Sequence, residues 1–471
     1  MRHRLKPYRE YRESGVTWLG AVPANWVVKP GLSVLREKHT RNTGLLERTV
    51  LSLSYGKIVI KPLEKIHGLV PASFETYQIV DPGEIIIRPT DLQNDWNSLR
   101  VGIARDRGII TSAYLCLKTV PPITPEYGYL LLHTYDLMKI YYGMGSGLRQ
   151  NLDFTDFKRM PVLIPSEKEQ ECIVRYLTHT EHRINRLIIK KQRLIKLLEE
   201  QKQAIIQSAV TRGLNPNVRL KASGVDWLGA VPEHWEVKRL KYAVPQITVG
   251  IVVQPASLYV PKGIPCLRSI NISSGKIKDK NLVFISEESN ELNRKSIIFK
   301  DDIVLVRTGR AGVAVIVTEE YHGANCVDLL VIRKSAQLIS KYLLMYLSSY
   351  AAKTDVGFNS VGAIQAHYNT STLANLVLPI PPINEQHLIL EKLQLDLEPL
   401  NKSMAKVKRE VELIREYRIR LIADVVTGKL DVRNIELPMI VDAEELEEIE
   451  NGEEVEAVKA EETEESADAD D

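Results

Sequence analysis

The chain has 471 residues, 44% of them hydrophobic and 26% charged, which predicts a soluble globular protein with core enough for two to four domains. Its opening, MRHRLKPYREYRES, has no apolar stretch of a secretory signal, and no run reaches the roughly 18 to 20 apolar residues of a membrane span. The net charge of +2 hides a polarity: residues 441–471 hold sixteen acidic groups against the single Lys459, which leaves +17 on the rest of the chain. A body that basic suits a polyanionic partner, although a solvated basic surface explains it as well. Cys116, Cys172, Cys266 and Cys326 are scattered without paired spacing, so a reducing compartment is expected and a disulfide or zinc framework is not.

In chain order, the first globular segment runs over residues 1–165. It opens with GVTWLGAVPANWVVK at Gly15–Lys29, and apolar runs predict strands at Val50–Leu53, Ile85–Arg88, Val101–Ala104 and Ile109–Lys118. Tyr127–Tyr142 has the apolar density of a buried helix, broken by the glycines of Gly143–Gly147. An apolar strand, Met160–Ser166, closes the segment, and residues 166–212 form a first long helix.

Residues 213–381 repeat this plan. GVDWLGAVPEHWEVK at Gly224–Lys238 matches eleven of the fifteen residues of the opening motif at an offset of 209. Strands are predicted at Cys266–Ile270, Ile297–Phe299, Ile303–Val306, Val313–Val317 and Val327–Ile332, a helix at Leu338–Tyr350, and a closing strand at Leu376–Pro382. A second long helix occupies residues 382–430. It echoes the first at an offset of 216, from the pairs Glu169-Gln170 and Glu385-Gln386 onward. The fold class predicted is α+β: two similar mixed α/β domains separated by a long antiparallel two-helix coiled coil, a pseudo-two-fold internal repeat, and a disordered acidic tail over residues 431–471.

The seam follows from apolar residues spaced by three and four. The first helix supplies Leu177, Ile184, Ile188, Ile195, Leu198 and Ile205, interrupted by Glu181, Lys191 and Lys202. The second supplies Leu393, Leu397, Leu400, Met404, Val407, Val411, Ile414 and Leu421, interrupted by Arg418. Pro399 inside this seam is expected to kink or split the helix near Glu398.

Catalytic motifs are missing. No strand leads into GxGxxG, no GxxxxGK[ST] phosphate loop occurs, and the histidines lack metal-ligand spacing. Asp81…Glu84 and Asp301-Asp302 read as turns into strands rather than metal carboxylates. No catalytic residue, no metal site and no enzyme activity of the chain itself are predicted.

The order of motifs, twice over, resembles the specificity subunit of type I restriction–modification systems. It rests on the WLGAVPxxW openings, the strand GIITSAYLCLK (Gly108–Lys118), and the successions VLIPSEKEQECIVRYL and LPIPPINEQHLILEKL, and covers residues 14–430. The resemblance implies two target recognition domains, residues 1–165 and 213–381, each reading one half of a bipartite, asymmetric site in double-stranded DNA, with two spacer helices setting the gap. It implies one copy per complex in a prokaryotic cytoplasm, docked to two modification subunits that methylate adenine. Restriction (translocase-nuclease) subunits complete the complex. S-adenosylmethionine, ATP and Mg²⁺ would sit on those partners, and this chain would hold no cofactor. Two other readings stay open: a specificity subunit serving a fused nuclease-methyltransferase, and a coiled-coil scaffold that reads nothing.

Base and phosphate contacts call for Arg, Lys, Asn and Gln on loops. The candidates are Arg88, Arg100, Arg105, Arg107, Arg149 and Gln150 in the first domain, and Arg268, Arg307, Arg310, Asn359 and Gln365 in the second. Trp18, Trp26, Trp227 and Trp235 are expected to be structural, because groups that read different sequences should not recur identically.

Overall fold

The computed structural model describes residues 5–62, 73–144, 150–253, 255–273, 275–359 and 368–437. The chain divides into two compact units, one of residues 1–191 with 409–471 and the other of residues 192–408. The disordered tail expected over residues 431–471 is corrected at its start: Asp431 pairs with Lys6 and Val432 is buried in the unit 1 core, because an apolar residue there finds a packed face, while the residues beyond 437 lie outside the described residues.

Unit 1 is organised by a four-stranded antiparallel sheet. Its strands are β1 (Leu35–Lys38), β2 (Ile85–Ile87), β3 (Val101–Ile103) and β4 (Leu115–Thr119), in the order β1-β4-β2-β3. Helix α1 (Pro125–Leu137) packs Tyr127, Leu131 and Tyr135 into the same core as Ile85, Ile87 and Leu117. Its start is set by Pro125 at the first helical position and by Thr124, whose hydroxyl accepts from the Tyr127 amide. The closing strand Pro161–Ile164 pairs antiparallel with Val27–Pro30, next to the opening motif. Helix α2 (Glu167–Arg212) follows at once.

Unit 2 has a sheet with the same sequence of connections. Strands β5 (Ile247–Val249), β6 (Ile303–Val306), β7 (Ala314–Ile316) and β8 (Leu329–Ile332) are ordered β5-β8-β6-β7, all antiparallel. Helix α3 (Ser340–Ser348) covers it, Val377–Ile380 pairs with Glu236–Arg239, and α4 (Ile383–Val426) follows. A second four-stranded sheet, in which Ile264–Leu267 pairs parallel with Asn325–Cys326, belongs to unit 2.

Four local expectations are corrected. Ile109–Lys118 is not one strand: Gly108–Ile110 and β4 lie on different sheets, with a turn over residues 111–114 between them. Ile297–Phe299 is not a strand, because the amide and carbonyl of Ile298 bond the turn at Gly323–Ala324. The helix expected over Leu338–Tyr350 ends at Ser348, and Ser349 adopts an extended backbone. Of the two outcomes expected at Pro399, a kink or a split, the split does not occur: α4 runs on through the proline. It is exposed, so the carbonyl it leaves unbonded, that of Leu395, sits on a solvent-facing part of the helix where water can serve it.

Within each unit, parts of α2 and α4 pack antiparallel. In unit 1, Leu177 shares a core with Leu421, Ile422 and Val425, while Ile184 and Ile188 meet Val411 and Ile414. Polar residues bridge the same face: Lys191 pairs with Glu410 at 2.6 Å, and Arg418 donates to Asn185 at 3.2 Å. In unit 2, Ile206, Ala209 and Val210 share a core with Ile389, Leu390, Leu393 and Leu397, with Ile205 and Leu400 half-buried at its edge. Met404 and Val407 are buried, whereas Ile195 and Leu198 are half-buried. In this stretch of α2 Ile205 packs at the edge of the core and its neighbour Ile206 is the fully buried residue.

The shared Glu-Gln pairs turn out to be internal fasteners. Gln170 Nε2 donates to the carbonyls of Pro122 and Pro165 at 2.8 and 3.1 Å, and its Oε1 accepts the Thr124 amide at 3.0 Å. Gln386 repeats this, with Gln337 and Pro381 carbonyls at 2.8 and 2.9 Å and the Ile339 amide at 2.9 Å. Each glutamine ties the start of a long helix to the start of the helix covering the sheet. Gln386→Ala is expected to destabilise unit 2 by about 2 kcal/mol, since a buried amide and two carbonyls lose their partner. Denaturant unfolding measures it.

Candidate nucleic-acid interface

In unit 1, β2 and β3 are antiparallel neighbours, with Ile87 opposite Val101, so residues 88–100 form the tip of one hairpin. In unit 2, β6 and β7 are neighbours in the matching place, with Leu305 opposite Ala314, and the tip is Arg307-Thr308-Gly309-Arg310-Ala311-Gly312-Val313. The two tips occupy the same position in sheets of the same order, yet share neither length nor sequence. Each opens on an arginine paired with an aspartate: Arg88 with Asp95 at 2.9 Å, and Arg307 with Asp328 at 2.5 Å.

The unit 1 tip is built on Arg100. This side chain is fully buried and donates to the carbonyls of Thr90 at 2.6 Å, Asp91 at 3.1 Å and Asp95 at 2.7 Å. Its guanidinium also lies over the Tyr142 ring, 5.4 Å from the centroid. Arg100 therefore cannot touch DNA, which corrects its candidacy; its role is to fix the path of the loop. Lys139 adds a bond to the Trp96 carbonyl at 2.6 Å. Asp95 is pushed up by partial burial, but bonds from Ser98 and the charges of Arg88 and Arg100 outweigh this and hold its carboxyl below the usual range.

With its carbonyls drawn inward, the tip turns side chains outward. Gln93, Asn94, Trp96 and Asn97 are exposed, and Trp96 stacks on Tyr142 with centroids 4.4 Å apart. Sequence reasoning missed these four. The available signal was a polar run with a tryptophan in it, placed between two apolar strands.

The other unit 1 candidates separate into two places. Gln150 is exposed beside the tip, since the next residue, Asn151, accepts from the Asp91 amide at 3.0 Å and Leu152 donates to the Pro89 carbonyl at 2.9 Å. Arg105 and Arg107 are exposed past the opposite end of β3, and Arg107 pairs with Asp81 at 2.8 Å. Arg149 lies outside the described residues.

In unit 2, three candidates converge. Arg310 is exposed and its Nη2 donates to the carbonyls of Ser269 and Ile272, each at 3.1 Å. Arg268, half-buried, donates to the Asn281 carbonyl at 2.6 Å. Exposed Lys276, Lys278 and Lys280 belong to the same segment, so the tip borders a basic surface. Gly312 shapes the turn: its φ is +87°, and a Cβ there would lie 3.1 Å from the Tyr368 ring. Gln365 lies outside the described residues, as does the side chain of Asn359, whose backbone ends the helix Tyr350–Asn359.

The repeated tryptophans are structural where they match best. Trp26 and Trp235 are buried, and Trp235 Nε1 donates to Glu385 at 3.0 Å. Glu169, in the corresponding place in unit 1, instead accepts from Tyr8 at 2.6 Å and Asn25 at 3.2 Å. Trp18 is 37% exposed and packs edge-on against Tyr135. Among the described residues no group of three or more His, Cys, Asp or Glu side chains is placed to hold a metal ion, and no helix is long and apolar enough to cross a membrane.

Residues 232–413 match the family model of the type I restriction modification DNA specificity domain. Over 362 residues the chain is 24% identical to the type I restriction enzyme MjaVIII specificity subunit of Methanocaldococcus jannaschii, covering 75% of this chain and 82% of that one. It is 22% identical over 436 residues to the putative MjaX specificity subunit of the same organism, covering 88% and 96%. A chain from a solved structure concerned with complex assembly and conformational transition of the type I R-M system superposes with a TM-score of 0.62 at 14% identity, covering 87% of this chain and 99% of that one, a likeness of fold. Residues 232–413 thus carry a type I restriction modification DNA specificity domain, and the chain, over most of its length, is recognisably similar to the specificity subunits of type I restriction enzymes.

Proposed function

We propose that this chain is the DNA sequence-recognition subunit of a type I restriction–modification complex, binding a bipartite asymmetric site with one half read by each unit. The observation that carries the reading is the pair of hairpin tips, one place in two equivalent sheets occupied by unlike side chains. A palindrome would need two like readers; two unlike readers suit two different half-sites. The long helices supply a stiff spacer, and their exposed faces are the surface on which two modification subunits would dock, joined by restriction subunits. The chain itself performs no catalysis in this reading. S-adenosylmethionine, ATP and Mg²⁺ belong to the partners, and the complex works in the prokaryotic cytoplasm.

Footprinting of the full chain on DNA enriched from a random pool tests this: two short protected blocks separated by an unprotected gap are expected, and absence of discrete protection rejects it. Arg310→Ala then sorts the unit 2 tip. Loss of about 1 to 3 kcal/mol confined to one base pair marks a base contact. Weakening that is equal on all sequences, with the salt slope lowered by about 1, marks a phosphate contact.

A further inference from the structure

We infer that the unit 1 tip reads an adenine through one bidentate side-chain amide, Gln93 and Asn97 being the two exposed residues placed to supply it; this rests on the DNA-reading function proposed above. Three observations converge on it. First, the tip is rigid for a loop of its length. Arg100 gathers three of its carbonyls from inside, Asp95 accepts the Asn97 and Ser98 amides at 3.2 and 2.9 Å, and Trp96 is held at its carbonyl by Lys139 and at its ring by Tyr142. A reader whose backbone is already fixed loses little entropy on binding.

Second, the exposed amides are uncommitted. Asn94 donates to Asp91 at 2.8 Å, but the side chains of Gln93 and Asn97 have no hydrogen-bond partner among the described residues. An amide that offers one donor and one acceptor side by side matches the N6 and N7 edge of adenine in the major groove, and matches guanine poorly because guanine shows two acceptors there. Third, the charge is set for proximity to DNA without being the attraction itself. Asp91 and Asp95 are outnumbered by Arg88, Arg100 and Lys139, and all three cations are turned inward onto the tip's own carboxylates, carbonyls and rings. The tip thus presents neutral hydrogen-bonding groups, with the exposed Trp96 face beside them for apolar contact with a thymine methyl. The unit 2 tip, edged by Arg310 and three lysines, presents the opposite chemistry.

The test is enrichment of bound sequences from random double-stranded DNA by the full-length chain and by its Gln93→Ala/Asn97→Ala variant. Both side chains are exposed and unbonded, so the variant should keep its melting temperature. The wild type should enrich a two-part motif with an adenine in one part. The variant should lose preference at that adenine by about ten- to a hundred-fold, the expected value of one bidentate contact, with the other part and non-specific affinity unchanged. An unchanged motif in the variant overturns the inference and leaves the proposed function standing. Loss of preference in both parts, or at a position that is not adenine, also overturns it. A wild type that enriches no motif sinks the inference together with the function on which it rests.

Discussion

Replacing Arg100 by methionine is expected to cost unit 1 about 3 to 5 kcal/mol, the largest effect of any single substitution considered for that unit. Methionine fills most of the space of the arginine stem, so the packing loss is small. The polar loss is not. The carbonyls of Thr90, Asp91 and Asp95, now bonded at 2.6 to 3.1 Å, would face an apolar side chain, and the Asp95 carboxylate would lose a charge 3.9 Å away. Each buried carbonyl left without a donor costs about 1 to 3 kcal/mol unless the loop turns it to water. Turning it outward would break the tip, so the two outcomes differ in a measurable way. If the tip holds, the cost appears in global denaturant unfolding. If it yields, hydrogen exchange accelerates over residues 88–100 while β2 and β3 stay protected. Loss of less than about 1 kcal/mol with unchanged exchange in the loop would show that Arg100 does not organise it.

Arg100 also marks the limit of what the sequence could reveal. The doubling of the chain, the seam spacing and the absence of catalytic motifs are periodic or compositional facts, and they are legible without coordinates. The spacing that picked out Leu393, Leu397, Met404, Val407 and Val411 corresponds to residues that are all buried. Identical recurrence was a sound reason to take Trp26 and Trp235 as structural, and both are in the core. The direction of a side chain in a loop has no such signature. Arg100 and Arg310 are both arginines near a predicted strand in the sequence, yet one is buried and the other exposed, and the path of each hairpin tip decides this. The same holds for the Glu-Gln pairs. Their repetition announced a shared role, but helix electrostatics and docking explained it equally until the bonds to Thr124 and Ile339 were seen.

Acidification from pH 7 to pH 4 is expected to remove about 3 kcal/mol of unit 1 stability through His133 alone. The ring lies in α1, stacked on Tyr129 at 5.4 Å, with Nδ1 buried and without a partner among the described residues. Burial first, and then the positive charge of Arg418, push its pKa down to about 4, against a smaller opposing effect of a bond with the Val101 backbone. In the unfolded chain the imidazole titrates near 6.5. Above that value both states are neutral and nothing is lost. Between 6.5 and about 4 the unfolded state takes up a proton that the folded state refuses, so stability falls with falling pH, and the loss levels off below the folded pKa. One turn further along α1, Asp136 opposes this: burial holds its carboxyl above the ordinary range despite its bond from the Arg100 amide, so acid restores some stability there. The two act over overlapping pH ranges with opposite sign, so substitution of His133 separates them. In a His133→Gln variant the slope of unfolding free energy between pH 6.5 and 5 should flatten. Persistence of the wild-type slope in that window would assign the loss to other groups. Since His133 and Asp136 hold Val101 and Arg100 respectively, the same titration bears on the base of the hairpin tip, and exchange at residues 88–100 should rise with acid before the sheet itself opens.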